Sequence, residues 1–449
     1  MQTNATGARL LRCRENDRTA AVSAEVLSTV RPKILFVSQQ WPADAGNGAQ
    51  QRAINVGRLL ARVGDVSFLI VSPEPENVKA VQNLRSEFKI CGILQPSLVP
   101  RKKPFERLRR RLRHEFYSGC IATEPWALSK VDRSTLLRLI EGYNVIWVHN
   151  VKAANLTEIY RWPRSILDLD DIPSRYFKSL SQSRHNPVRR LLDLRMSSIW
   201  KRRERHLRER FDVLAVCSEQ DRQYLSEIAE AHVIPNGFKT PAAKSRILSE
   251  RPRIGFVGMF TYRPNQEGMR WFIRYVWPRI RREHADAELR LVGGGSDEVV
   301  SDGMPGIAKL GWMDDPSDEI ATWSAMVVPI QFGGGTRVKI AEGFARKCPV
   351  VSTTIGAFGY DVRNREEILL ADTPEEFASA CVDLCQNPEL GKSLSERAHQ
   401  QFLRQWTWDS LESAVAEAVE ECISRAGSAA AAGGKVSARA AARHAGAFK

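Results

Sequence analysis

The residues with the most chemical content lie in one run, Pro329-Ile330-Gln331-Phe332-Gly333-Gly334-Gly335-Thr336-Arg337-Val338-Lys339-Ile340-Ala341-Glu342-Gly343. It follows an apolar strand pattern, Ala325 to Pro329, and opens a helix near Thr336. Three glycines let a ligand approach the backbone closely. The free amides of a first helical turn favour an anion, and Thr336 is of a type that caps such a turn. Arg337 and Lys339 add two full positive charges at the same end, and Glu342 can accept hydrogen bonds from the paired hydroxyls of a sugar. Together these parts suit a diphosphate attached to a ribose. A triple glycine alone is equally well a tight strand-helix turn with a solvated basic face; Arg, Lys and Glu at these offsets favour the anion site.

Other candidates sit at strand ends. Gly46-Asn47-Gly48 lies in the loop after the strand Lys33 to Val37, and Arg52 follows one turn into the next helix. His149 ends the strand Val145 to His149, at the carboxyl edge where α/β sheets bind ligands. Asp168, Asp170 and Asp171 end the strand Ile166 to Leu169; one of them would orient an acceptor hydroxyl or cap a helix, and Asp170 is favoured. Ser218-Glu219 reads as a helix cap.

The elements that must position these residues alternate strand and helix from Lys33 to the late 300s. Lys33-Ile34-Leu35-Phe36-Val37 is a continuous apolar run of the kind buried in a parallel sheet. Val56, Leu59, Leu60 and Val63 mark a helix, and Val66 to Val71 the next strand. Val213 to Val216 and His232 to Ile234 are further strands. After a linker, Ile247 to Arg253, the pattern restarts with strands Arg253 to Val257, Glu288 to Val292, Ala325 to Pro329 and Pro349 to Ser352, and a helix Gln266 to Arg282. The expected architecture is α/β: two facing Rossmann-like domains, 32–245 and 246–404, and a helix, 405–425, crossing back to the first domain. Segments 1–31 and 426–449 read as disordered extensions, the latter from its Ala, Gly and basic composition.

The run 329–351 resembles the donor-binding motif of family 4 glycosyltransferases of the GT-B fold. Many members carry E-x7-E followed by a P-V-V strand; here Pro349-Val350-Val351 and the second glutamate, Glu342, are present, while Gly334 stands at the first glutamate's position. The G-G-G-T-R-x-K-x-x-E form resembles a branch of that family. Gly258-Met259-Phe260 matches the glycine loop where many members place an arginine and then a lysine on phosphate. Those positions are Met259 and roughly Asn265, so Arg337 and Lys339 are the candidates to replace the charge, with Arg263 a weaker one. Ile234-Pro235-Asn236-Gly237, Leu291 to Gly295 and Gly311-Trp312-Met313 also match. The resemblance implies that Gly46 and Gly48 approach donor phosphate and acceptor, that His149 and Arg52 lie near the reacting centre and acceptor, and that Trp312 either stacks on the base or is core. It implies a retaining transfer from a nucleotide-diphosphate sugar, with no cofactor or metal, to a glycan or lipid-linked acceptor.

Composition sets the remaining limits. The net charge of +14 is accounted for by two segments, Arg101 to Arg113 and Arg184 to Arg210, each carrying +7. Phe105, Leu108, Leu112 and Phe116 interleave with the first, the pattern of a helix on an anionic leaflet, so 101–116 and 184–210 are candidate membrane surfaces. Eight scattered cysteines without a C-x-x-C pair fit a reducing compartment, and Cys381 and Cys385 read as packing. No apolar run spans a bilayer and residues 1–31 lack a signal core, so a cytoplasmic protein, peripheral on the inner face of the membrane, is expected. Two competing readings are a nucleotide-sugar epimerase of the same fold and a nucleic-acid binder; the aromatics do not line a basic strand face as the second requires. A catalytically dead scaffold is the third, raised by Gly334 and Met259.

Overall fold

The computed structural model describes residues 31–44, 46–98, 126–184, 186–227, 230–242, 244–300 and 304–445, with side chains described as far as residue 428. The segment 101–116 and the N-terminal residues 1–30 fall outside that range. Fifteen strands follow in chain order: β1 (Lys33–Ser38), β2 (Asp65–Val71), β3 (Lys89–Leu94), β4 (Ser97–Leu98), β5 (Trp126–Ala127), β6 (Val145–His149), β7 (Ser165–Leu169), β8 (Val213–Val216), β9 (His232–Val233), β10 (Arg253–Val257), β11 (Glu288–Val292), β12 (Ile307–Gly311), β13 (Ala325–Val328), β14 (Val350–Ser352) and β15 (Leu369–Leu370).

Two parallel sheets result, ordered β3-β2-β1-β6-β7-β8-β9 and β12-β11-β10-β13-β14-β15. In each, the chain first builds outward on one side and then returns to build on the other. The order therefore reverses between β1 and β6, and again between β10 and β13. Such switch points open a crevice beyond the carboxyl ends of the strands. The central strands are apolar because helices cover both faces: Ile34 to Val37 and Val145 to Val148 are fully buried.

The last helix, Glu412–Ala445, returns to the first domain as expected, and Leu411, Val415, Ala418, Val419 and Cys422 join the core around Ile34, Phe36 and Val56. Phe402 and Trp406, just before it, belong to the second domain's core. The two crossings meet where Phe238 N–H donates to the Trp406 carbonyl at 2.8 Å and Gly237 leaves room for the Trp408 ring. One expectation is corrected: the helix does not end at 425 but continues to Ala445. Lack of an apolar stripe does not preclude a helix where alanine, the strongest helix former, dominates. The helix expected at 266–282 runs from Arg263 to Glu283 with a π turn at Phe272–Val276, which accommodates Pro278. Segment 184–210 forms the helices Pro187–Glu204 and Leu207–Arg210. Among the described residues, no helix is long and apolar enough to cross a membrane.

Candidate active site

Both switch points face one another, and the chemistry-bearing residues collect there. Ser38 at the end of β1 pairs with His149 at the end of β6. The loop after β1 leads into the helix Gly48–Val63, which Asn47 caps through a reciprocal bond with Gln50. Across the cleft, the loop after β13 leads into the helix Val338–Ala345. The two helix starts touch, since a Cβ on Gly48 would lie 3.2 Å from Val338 Cγ2. Neither first turn carries an acidic residue. Two positive dipole ends thus converge on one point, an arrangement that attracts an anion. Gly46 closes the cap from below, its carbonyl accepting from Gln51 Nε2 at 3.0 Å.

Arg337 is 6% exposed and precedes the second of these helices. Its Nη1 donates to the carbonyls of Gly334 and Gly335, and Tyr360 Oη donates to its own carbonyl at 3.0 Å. Its Nε and Nη2 have no partner. Thr336 is not the cap that the sequence suggested: the helix begins after Arg337, and Thr336 Oγ1 instead accepts from Asn236 Nδ2 at 2.7 Å, across the domain boundary. The reason is Gly335, whose φ of 64° and that of Gly333, 138°, keep the chain turning past Thr336.

Lys339 points along the second sheet's crevice. Its Nζ donates to Asn265 Oδ1 at 2.8 Å, lies 5.0 Å over the Phe256 ring, and its stem passes Gly258. A cation therefore does stand at the Gly258 loop, although it arrives from a different helix. Burial, and then the neighbouring Arg337, push Lys339 down to about 7, against the pull of Glu342. Glu342 is largely buried; burial raises its carboxyl, opposed by Arg346, whose Nε donates to Oε1 at 3.2 Å. Arg346 also reaches Asp315 at 3.1 Å, so Glu342 is tied to the 312–315 loop. Trp312, in that loop, is 53% exposed and is not core. Arg263 is committed to Glu267 at 2.7 Å and to the face of Phe332.

On the first domain, Arg52 corrects its expected acceptor-side role. It is fully buried and saturated: Nε and Nη2 hold Asp168, and Nη1 donates to the Pro235 carbonyl and to Asn236 Oδ1, both at 3.1 Å. Burial alone would raise Asp168, but Arg52 and His149 hold it well below the usual carboxylate range. His149 Nδ1 lies 3.3 Å from Asp168 Oδ2, so the carboxylate orients the ring, and Nε2 is buried without a partner. Ser218 caps the helix Glu219–Leu225, as its position suggested.

The aspartate that meets the glycine loop is Asp171. A Cβ on Gly334 would overlap Asp171 Oδ1, and one on Gly335 would lie 2.5 Å from the Asp170 carbonyl. A glutamate side chain at 334 would collide with this carboxylate, which gives a physical reason for the glycine there. The sequence also gave no sign of Ser179, whose Oγ accepts from Gly333 N–H at 3.0 Å, or of Tyr360. Their partners are backbone groups of a loop, a kind of contact that residue type and spacing do not encode.

Comparison with known proteins agrees with this fold. Residues 251–387 match the family described as glycosyl transferases group 1. An uncharacterised 44.6 kDa protein of the cps region of Klebsiella pneumoniae is 19% identical over 374 residues, 79% of this chain and 91% of that protein. Sucrose-phosphate synthase from Thermosynechococcus elongatus has a similar structure, with a TM-score of 0.61 at 17% identity over 88% of this chain and 100% of that one. Anabaena HepE in complex with UDP and glucose gives 0.59 at 14% identity over 87% and 99% of the respective chains. S. aureus TarM, in a complex that includes UDP, gives 0.61 at 10% identity over 86% and 99%. The second half thus carries a group 1 glycosyl transferase domain, and the chain as a whole has the GT-B fold of two facing Rossmann-like domains.

Proposed function

We propose that this protein moves a sugar from a nucleoside-diphosphate sugar to a glycan or lipid-linked acceptor, with retention at the anomeric carbon, in the synthesis of a surface polysaccharide or glycoconjugate. The observation that carries the reading is Arg337: a guanidinium buried at two converging helix starts, with two nitrogens unpartnered. A buried polar group without a partner is uncommon and implies a ligand that supplies one. A diphosphate does so. The UDP held by HepE and TarM, and the cps-region relative, favour the same substrate class and setting.

Cleavage of the sugar–phosphate bond leaves negative charge on the diphosphate, and fixed cations in a closed cleft lower that barrier. Arg337, Lys339 and the helix starts at Gly48 and Val338 carry this role, beside Gly258 and Gly333 to Gly335. Glu342 takes the ribose hydroxyls and Trp312 covers the base. His149 offers Nε2 to the reacting centre. A labelled nucleotide sugar tests the reaction class. Transfer requires an acceptor in the mixture; conversion of the nucleotide sugar to its epimer without one would overturn the reading.

Lys339 gives donor binding a pH dependence. In the empty site burial and Arg337 lower it to about 7, so it loses its proton far more readily than an exposed lysine. A bound diphosphate favours the ammonium form and raises its pKa, so binding takes up a proton above pH 7. Affinity for UDP is expected to fall by about tenfold per unit above roughly pH 8. Calorimetry across pH 7 to 9 reads this slope, which is expected to disappear in Lys339→Met.

The acceptor side suits an anionic bilayer. Val188, Leu191, Leu192 and Leu194 are exposed on the helix Pro187–Glu204, interspersed with Arg189 and Arg190. Apolar side chains flanked by arginines enter a headgroup layer favourably. Vesicles containing phosphatidylglycerol are expected to sediment with the protein, and L191E/L192E to reduce that binding at least tenfold. Equal binding of the double variant would exclude this surface.

A further inference from the structure

Resting on the diphosphate reading above, a second ligand contact follows from the groups left over around it. Asp171 Oδ1 is buried and has no hydrogen-bond partner. It lies against Gly334, whose carbonyl, with that of Gly335, accepts from the Arg337 guanidinium. Arg337 acts on Asp171 electrostatically without forming an ion pair, so an acceptor-poor guanidinium and a donor-poor carboxylate sit side by side, both unfilled. One ligand satisfies both only if it presents acceptors to the arginine and hydroxyl donors to the carboxylate, a few ångströms apart. A phosphate ester of a polyol has that pattern.

The surroundings narrow the choice further. Tyr262, from the loop after β10, feels both Arg337 and Asp171, and Tyr176, from the helix Pro173–Gln182, feels Asp171 as well. One ring comes from each domain. Tyr262 is 48% exposed, so the pair stands at the open side of the pocket. Rings of this kind provide an apolar wall with a polar tip, suited to the carbon faces of a sugar. Burial and the adjacent Asp170 push the Asp171 carboxyl up to about 7, against the effect of Arg337, which is the state of a carboxylate lacking the donors it needs.

We infer that Asp171 accepts a hydrogen bond from a hydroxyl of the donor's sugar while Arg337 holds the attached diphosphate, and that Asp171 thereby selects which sugar is transferred. The carboxylate comes from the first domain and the guanidinium from the second, so the sugar is gripped only when the two domains are together.

The test compares UDP with UDP-glucose, and GDP with GDP-mannose, on the full chain and on Asp171→Asn and Asp171→Ser. Because Asp171 has no partner to lose, both variants are expected to melt no lower than the parent. Affinity for the bare diphosphate is expected to stay within about twofold, while affinity and kcat/KM for the matching sugar nucleotide fall by about tenfold or more. A structural role would instead weaken nucleotide and sugar nucleotide alike. That outcome, or no change in either, overturns the assignment of Asp171 and leaves the diphosphate site standing. If neither UDP nor GDP binds the parent protein, the diphosphate reading fails and this inference falls with it.

Discussion

Arg337→Ala is expected to lower kcat/KM for sugar transfer by about 10²- to 10³-fold, the scale found when one fixed donor to a developing charge is removed. The side chain is buried, two of its nitrogens are open to a ligand, and Nη1 shapes the loop through the Gly334 and Gly335 carbonyls. Arg337→Lys keeps the charge but cannot both brace the two carbonyls and reach a phosphate, so a loss approaching that of alanine is expected. Neither change removes an apolar core contact, and the melting temperature is expected to move by only a few degrees. Initial rates at saturating acceptor, with circular dichroism melts alongside, separate the two effects. Near-normal turnover in Arg337→Ala would remove this residue from the site.

The largest loss of stability is expected at Asp168. Arg52 and Asp168 are both fully buried, 2.6 Å apart at their closest approach, and the same carboxylate receives His149 and a long contact from Trp147. Deleting one partner leaves the other charged in the core, which costs about 3–5 kcal/mol. Asp168→Ala is therefore expected to lower the melting temperature by on the order of 10 °C. It should also free His149 to rotate. Arg52→Met combined with Asp168→Leu removes both charges together and is expected to recover most of the loss. The pH sign follows from the depressed carboxyl: its stabilisation is complete above the ordinary aspartate range and is lost as pH falls through and below that range. A double variant no better than the single one would contradict the pairing argument.

Much of the scaffold was legible because its strands are buried on both faces. Continuous apolar runs such as Ile34 to Val37 and Val213 to Val216 leave no polar alternation to confuse the reading. Of the strands that sequence reasoning passed over, β3, β12 and β15 lie at sheet edges and the short β4 and β5 form a separate pair; β3 is mostly half-buried and includes Lys89, Cys91 and Gly92. The glycine run and the two cations after it were legible as well, since an anion site is written in residue type and spacing. What the sequence could not supply was the opposing surface. Asp168, Asp170 and Asp171 are three of four consecutive residues, yet one is locked in the core with Arg52, one has its carbonyl packed against Gly335, and one places its carboxyl on Gly334. The folding of the first domain sets Asp168 apart, and the approach of the second domain distinguishes the other two. Arg52 misled for the same reason: at one turn into a helix it suits a ligand, and only its 116-residue separation from Asp168 in the chain hides its partner.

The meeting of the helix starts at Gly48 and Val338, with Arg337 and Lys339 beside the second of them, is tested most directly by a crystal structure with UDP or GDP bound. The pyrophosphate oxygens are expected within hydrogen-bond distance of Arg337 Nε or Nη2 and of Lys339 Nζ, with the ribose toward Glu342. A nucleotide bound outside the crevice between β10 and β13, or one whose phosphates leave Arg337 unpartnered, would contradict it.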